Sequence, residues 1–136
     1  MLQEIPRTEA APHIPGITAQ EAQAAARAVI NLFARWDLSD DEACQILGGL
    51  SARSYARWKK GEIGRIDRDL ATRLSLLLGM HKALRYLYRD PDQAYAWIKK
   101  PNLMFGARRT LDVMLDGSIF ALERVRAYLD AERGGW

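Results

Sequence analysis

Six times in 136 residues a helix-capping side chain stands immediately before apolar residues spaced three and four apart: Thr18, Ser39, Ser51, Asp67, Asp90 and Ser118. Ser, Thr and Asp at that position accept hydrogen bonds from the otherwise unpaired first amides of a helix. Thr18 with Glu21 and Ser39 with Glu42 have the spacing of a reciprocal capping box. No stretch of useful length alternates apolar with polar residues, and no internal repeat is visible. The expected fold class is therefore all-α, a compact multi-helix bundle.

The apolar spacing sets the expected helices. The first carries Ala25, Val29, Leu32, Phe33 and Trp36 and runs to about Trp36. The second turns Ala43, Ile46 and Leu47 inward and stops at Gly48-Gly49, and the third runs from Ser51 to Gly61. From Asp67 a fourth turns Leu70, Leu74, Leu77 and Leu78 inward, with Gly79 expected to mark its end or a kink before Ala83, Leu84 and Leu87. Asp90-Pro91 joins an N-cap to proline at the first helical position. That helix carries Ala94, Trp97 and Ile98 and yields before Pro101, because the residue preceding proline avoids helical geometry. A loop from Pro101 to Gly106 and a short helix from about Arg108 to Leu115 follow. In the last helix, Ile119, Leu122, Val125 and Leu129 form the apolar side, and Glu123, Arg124, Arg126 and Asp130 are expected to face water. Trp97 is expected in the core, as an aromatic anchor between the two halves.

Pro6, Pro12 and Pro15 lie ahead of Gly16, so residues 1–17 read as an extended arm. That segment has acids and prolines where a secretion signal needs a basic start and an apolar run, and no apolar stretch approaches the roughly 18 residues of a membrane span. A cytoplasmic protein with no membrane association is expected. The single cysteine rules out an internal disulfide and multi-cysteine zinc sites.

The formal net charge of +3 conceals a segregation. Residues 1–50 hold 3 basic and 7 acidic side chains, residues 51–100 hold 12 and 5, and residues 101–136 hold 5 of each. A polyanion would bind the middle. A coat protein binding nucleic acid indiscriminately would carry its charge throughout, so a localised reader fits better.

Ser39–Gly61 is two short helices joined by Gly48-Gly49-Leu50, the length and turn chemistry of a helix-turn-helix. On the second helix, Tyr55, Trp58 and Glu62 are expected to point one way, while Arg53, Arg57 and Lys60 point nearly opposite, flanked by Ser54 and Lys59. Tyr55 and Trp58 would dock the helix. Ser51, Arg53, Ser54, Arg57, Lys59 and Lys60 are the candidate contacts to bases and phosphates. A solvated helix face could look the same. Two facts favour DNA: residues 53–61 contain no acid, and they lie in the one basic third of the chain. One small reading helix gives limited affinity, so a dimer on a two-fold operator is expected.

Catalytic chemistry is sparse. The chain has no phosphate-cradling glycine loop, no paired-histidine zinc motif and no calcium loop. Cys44 lies on the apolar side of the second helix and reads as a small core residue. His81 reads as structural, and Asp40-Asp41-Glu42 as an acidic first turn matched to the helix dipole. An enzyme is not expected, nor a metal or a cofactor.

The last third carries a different signal. Asp90-Pro91-Asp92-Gln93-Ala94-Tyr95-Ala96-Trp97, then Lys100-Pro101-Asn102, Phe105-Gly106, Leu111-Asp112, Met114-Leu115, Gly117 and Val125-Arg126-Ala127-Tyr128-Leu129-Asp130 resembles the toxin-binding domain of Xre/MbcA/ParS antitoxins. The order and spacing are kept over about 45 residues, and with the upstream helix-turn-helix the resemblance covers roughly residues 20–136. Thr110 stands where many members carry proline. The implied organisation is an arm (1–17), a helix-turn-helix DNA-binding domain (18–89) and a toxin-binding domain (90–136).

The resemblance implies a type II antitoxin: a dimeric DNA-binding protein that represses its own operon and masks a RES-domain toxin, the toxin being the NAD-depleting enzyme of the pair. It places toxin contact on the final helix and tail, at Arg126, Tyr128, Arg133, Gly134, Gly135 and Trp136. Two glycines before a terminal tryptophan also form a hinge that carries an aromatic group and a carboxylate, a shape suited to a nucleotide pocket. The other reading of the chain is a stand-alone helix-turn-helix repressor controlled by a small ligand, which would need a sizeable apolar pocket.

Overall fold

The structure is a computed structural model that describes residues 18–134. The expected arm (1–17), Gly135 and Trp136 lie outside the described residues. The elements in order are α1 (Ala19–Arg35), α2 (Asp40–Ile46), α3 (Ala52–Lys59), α4 (Arg68–Leu87), α5 (Pro91–Ala96), a 3-10 turn (Trp97–Lys99), β1 (Pro101–Asn102), a second 3-10 turn (Leu103–Phe105), β2 (Arg108–Arg109), α6 (Thr110–Met114) and α7 (Ile119–Glu132). All six capping residues read from the sequence cap a helix, and both reciprocal boxes are formed.

α4 is the spine. It packs against α1 on one side and α7 on the other, and so buries Ala71, Leu74, Leu77, Met80, Ala83 and Leu84. Gly79 does not end α4, which runs unbroken for 20 residues. The glycine makes room for a side chain instead: a Cβ there would overlap the guanidinium of Arg126 on α7, so the bare backbone lets that guanidinium lie against α4. Arg126 is correspondingly half-buried, not on the water face, and its Nε donates to Asp130 Oδ2 at 3.1 Å.

A second arginine ties the halves together from the inside. Arg73 of α4 is 7% exposed. Its Nη1 donates to the carbonyls of Ile46 (3.2 Å), at the end of α2, and Gly117 (2.8 Å), just before α7, and its Nε donates to Asp69 at 2.8 Å. Gly48, with φ +82°, gives the guanidinium room: a Cβ there would lie 2.7 Å from Arg73 Cζ.

Two further expectations change. The segment from Pro101 to Arg109 is not only loop, because Pro101 pairs with Arg109 and Asn102 with Arg108 in a two-stranded antiparallel ladder. Strands of two residues are too short to show an alternating pattern. α6 consequently starts at Thr110, after β2, with Asp112 accepting from the Arg109 backbone and guanidinium. Trp97 is half-buried, stacked on Tyr128 with ring centroids 6.1 Å apart, while the fully buried member of its turn is Ile98.

Candidate nucleic-acid interface and partner-facing domain

The helix-turn-helix is built by its turn. Gly48 and Gly49 both have positive φ (+82° and +93°), a region that favours glycine. Their amides close α2 by donating to Gln45 and Cys44 carbonyls. Two residues later Ser51 Oγ accepts from the Ser54 amide and starts α3. Tyr55 and Trp58 are buried and fix α3 to the core. Burial, with Asp40 and Cys44 nearby, pushes the Tyr55 phenol up to about 12 and keeps it neutral.

The outer face of α3 carries Arg53, Arg57 and Lys60, all exposed. None of the ion pairs among the described residues engages them. A row of unneutralised cations on the second helix can take phosphates by charge and base edges by guanidinium hydrogen bonds. Ser51 is exposed at the helix start and Ser54 half-buried.

Lys59 stands apart from this row. Its Nζ lies 2.8 Å from Asp40 Oδ1 and 5.4 Å from the centre of the Tyr55 ring, so it braces α3 against the first turn of α2. Glu62 lies beyond the helix and is exposed, not on the docking face. Arg65, which helical spacing could not reveal because it follows the helix, lines a cleft of about 140 Å³ with Ser54, Arg57 and Glu62. The backbone beside it is held from α1, where Gln23 Nε2 donates to the carbonyls of Ile63 (3.2 Å) and Gly64 (3.4 Å).

Residues without a place in this surface have structural settings. Cys44 is half-buried, and burial with Asp40 and Asp41 raises its thiol pKa, which works against nucleophilic thiolate. His81 stacks on Tyr95 at 5.6 Å, and burial, then Arg85 and Arg35, lowers its pKa. Among the described residues no cluster of His, Cys, Asp and Glu is able to hold a metal, and no helix is long and apolar enough to cross a membrane.

The toxin-contact residues expected in the last helix are divided. Arg126 is occupied by Asp130 and by the close approach at Gly79. Tyr128 is half-buried between Trp97 and Phe105, the latter ring 5.6 Å away and edge-on. Both hold the domain together. Arg133 closes α7, with its guanidinium 5.8 Å from the centre of the Tyr86 ring, and Gly134 follows with φ +121°. Gly135 and Trp136 fall outside the described residues.

Comparison with known proteins places this geometry. Residues 15–79 match the antitoxin Xre-like helix-turn-helix domain, and residues 83–135 match the antitoxin Xre/MbcA/ParS C-terminal toxin-binding domain, the two matches meeting within α4. The y4oB protein of Sinorhizobium fredii (strain NBRC 101917 / NGR234), itself uncharacterised, is 37% identical over 121 residues, 89% of this chain and 93% of its own length. A chain in the crystal structure of the M. tuberculosis MbcT-MbcA toxin-antitoxin complex is 31% identical, with a TM-score of 0.54, and the match covers 81% of this chain and 94% of that one. With both halves matched in order and relatives aligned along most of its length, the chain belongs to the Xre/MbcA/ParS family of type II antitoxins.

Proposed function

We propose that this antitoxin masks a RES-domain toxin that consumes NAD, and that as a homodimer it represses its own operon from the cytoplasm by operator binding. The observation that carries the DNA arm is the uncovered row Arg53, Arg57 and Lys60 on the second helix of the helix-turn-helix. Arg65 and the exposed N-terminal end of α3 at Ser51 extend that face. The toxin arm rests on the family match of residues 83–135 to a toxin-binding domain. The tail Arg133–Trp136 reaches the toxin's active-site entrance in this reading. The protein itself acts by binding, not by catalysis.

The test is co-expression with the protein encoded by the neighbouring reading frame. That protein alone should arrest growth and deplete NAD, and this chain should restore both. A harmless neighbour, or one without a RES-type sequence, refutes the reading. The small-ligand alternative needs an enclosed apolar pocket. The cleft of about 330 Å³ between α1 and α5, lined by Trp36, Tyr95 and Ala96 together with Arg35, Asp37, Asp92 and Lys99, is open to water and not enclosed.

A further inference from the structure

The described residues hold four large apolar side chains well out in water, and three of them lie in one neighbourhood of the C-terminal half. Leu103 (89% exposed) and Met104 (61%) project from the 3-10 turn between β1 and β2, and Phe120 (75%) projects from the first turn of α7. The turn and the helix are tied together. Arg124, one helical turn after Phe120 on the same face, places its guanidinium 5.1 Å from the centre of the Phe105 ring and donates to the Met104 carbonyl at 3.5 Å. Arg108 donates to the Phe105 carbonyl at 3.1 Å. A cleft of about 220 Å³ opens between them, lined by Arg108, Val113, Asp116, Phe120, Ala121 and Arg124.

Phe120 lines the cleft with two arginines, and Arg124 holds the turn that carries Leu103 and Met104. Aromatic residues, methionine and arginine are the types enriched at protein interfaces, and a grouped set of exposed apolar side chains marks an interaction site. The turn is also braced to present them. Asn102 Oδ1 accepts from the Met104 amide, Gly106 closes the turn in the left-handed region at φ +70°, and Phe105 is buried beneath as its root. Leu103 and Met104 are thus held outward by a turn whose next residue is fixed in the core.

We infer that Leu103, Met104 and Phe120, with Arg108 and Arg124, form a docking face for the toxin, which meets it with an apolar projection rimmed by carboxylates. This rests on the proposed antitoxin role. The occupant is argued from location and charge: every one of these residues lies inside the stretch matched as a toxin-binding domain, and two guanidinium groups against one carboxylate, Asp116, favour an acidic rim. The face is a second contact, separate from the tail. Phe120 and Arg133 stand at opposite ends of α7, about 20 Å apart along its axis at 1.5 Å per residue. A toxin gripped at both ends would be fixed in orientation as well as blocked.

The test uses the full-length chain and the purified product of the neighbouring reading frame, catalytically inactivated so that it can be produced alone. Phe120→Ser and Leu103→Ser are the variants, since both side chains project into water; circular dichroism checks that the fold and thermal midpoint are unchanged. Each variant should weaken the complex by at least about thirtyfold, the scale of an interface anchor, while operator binding by the free chain stays at the parent level. If the parent binds and both variants bind as tightly, the docking face is refuted and the antitoxin role stands. If the variants instead become monomeric while toxin affinity is unchanged, the face joins two copies of this chain and the inference is overturned. If the parent itself does not bind, the antitoxin role fails and this inference with it.

Discussion

Replacing Arg73 with Met should be among the most damaging single changes in the molecule, although it removes a charge from an almost wholly buried site. The methionine keeps the apolar stem that packs along α4, so the loss is confined to the guanidinium. Two carbonyls, Ile46 and Gly117, lose a charged donor at 3.2 and 2.8 Å, and neither accepts from another amide in the turns. A buried carbonyl left without a donor costs about 1–3 kcal/mol. The Asp69 contact adds little, because that carboxylate is 57% exposed. The expected loss is therefore about 3–4 kcal/mol, which for a domain of this size lowers the thermal midpoint by about 10 °C at roughly 3 °C per kcal/mol. Thermal and urea unfolding followed by circular dichroism measures it, with Asp69→Asn as the control expected to cost under about 1 kcal/mol. Because the two carbonyls sit on the helix-turn-helix and at the start of α7, both operator and toxin affinity should decline together. A midpoint lowered by less than about 3 °C would refute the reasoning, since it would mean that water or a rearranged turn satisfies those carbonyls at no cost.

Further expectations concern other sites. Thr110→Pro should stabilise the protein by about 0.5–1 kcal/mol: Thr110 is the first residue of α6, Arg109 before it has φ −69° and ψ 148°, which a following proline tolerates, and the Thr110 hydroxyl is buried without a partner. A lower urea midpoint would show that its amide is needed. Lys59→Ala should leave operator affinity within about twofold and cost under 1 kcal/mol, since this lysine serves Asp40; a loss like that of Arg57→Ala in a mobility-shift titration would return it to the DNA face. His81 has a lowered pKa, so the folded state keeps the ring neutral while the unfolded chain takes up a proton near its ordinary value of about 6.5. Stability should therefore decline as pH drops from 7.5 to 5.5 and level off below the folded-state pKa. His81→Gln should shrink the difference between urea midpoints at those two pH values, and an equal difference in the variant would assign it to other groups.

What was legible in the sequence was whatever acts within one helix. Thr18, Ser39, Ser51 and Ser118 cap through amides three residues away, and Tyr55 with Trp58 shares a face fixed by helical period, so local spacing suffices. Contacts between elements were not legible. Gly79 looked like a helix break because glycine lowers helix propensity, yet its role depends on Arg126 lying across from it, 47 positions later in the chain. Arg126 reads as water-facing for the same reason: a charged residue on a polar-looking face gives no sign of the helix it will meet. Lys59 sat among four cations and differed only by the nearness of Asp40, 19 residues earlier. Phe120 and Leu103 carry no local mark of exposure, since spacing alone does not say which apolar side chains of a loop or a first helical turn stay outside. Their outward placement follows from how the β1–β2 turn and α7 are braced against each other.

The central claim is that one chain faces two partners through separate surfaces, DNA through α3 and toxin through the C-terminal half. A single separation-of-function experiment tests it most directly. Three full-length variants are compared, Arg53→Ala with Arg57→Ala, Phe120→Ser, and a deletion of residues 134–136, each measured for operator binding by mobility shift and for toxin neutralisation by growth rescue. The account predicts that the arginine pair loses operator binding and still rescues growth, while Phe120→Ser and the deletion bind operator at the parent level and rescue poorly. Parallel loss of both activities in every variant, at unchanged thermal midpoints, would contradict it.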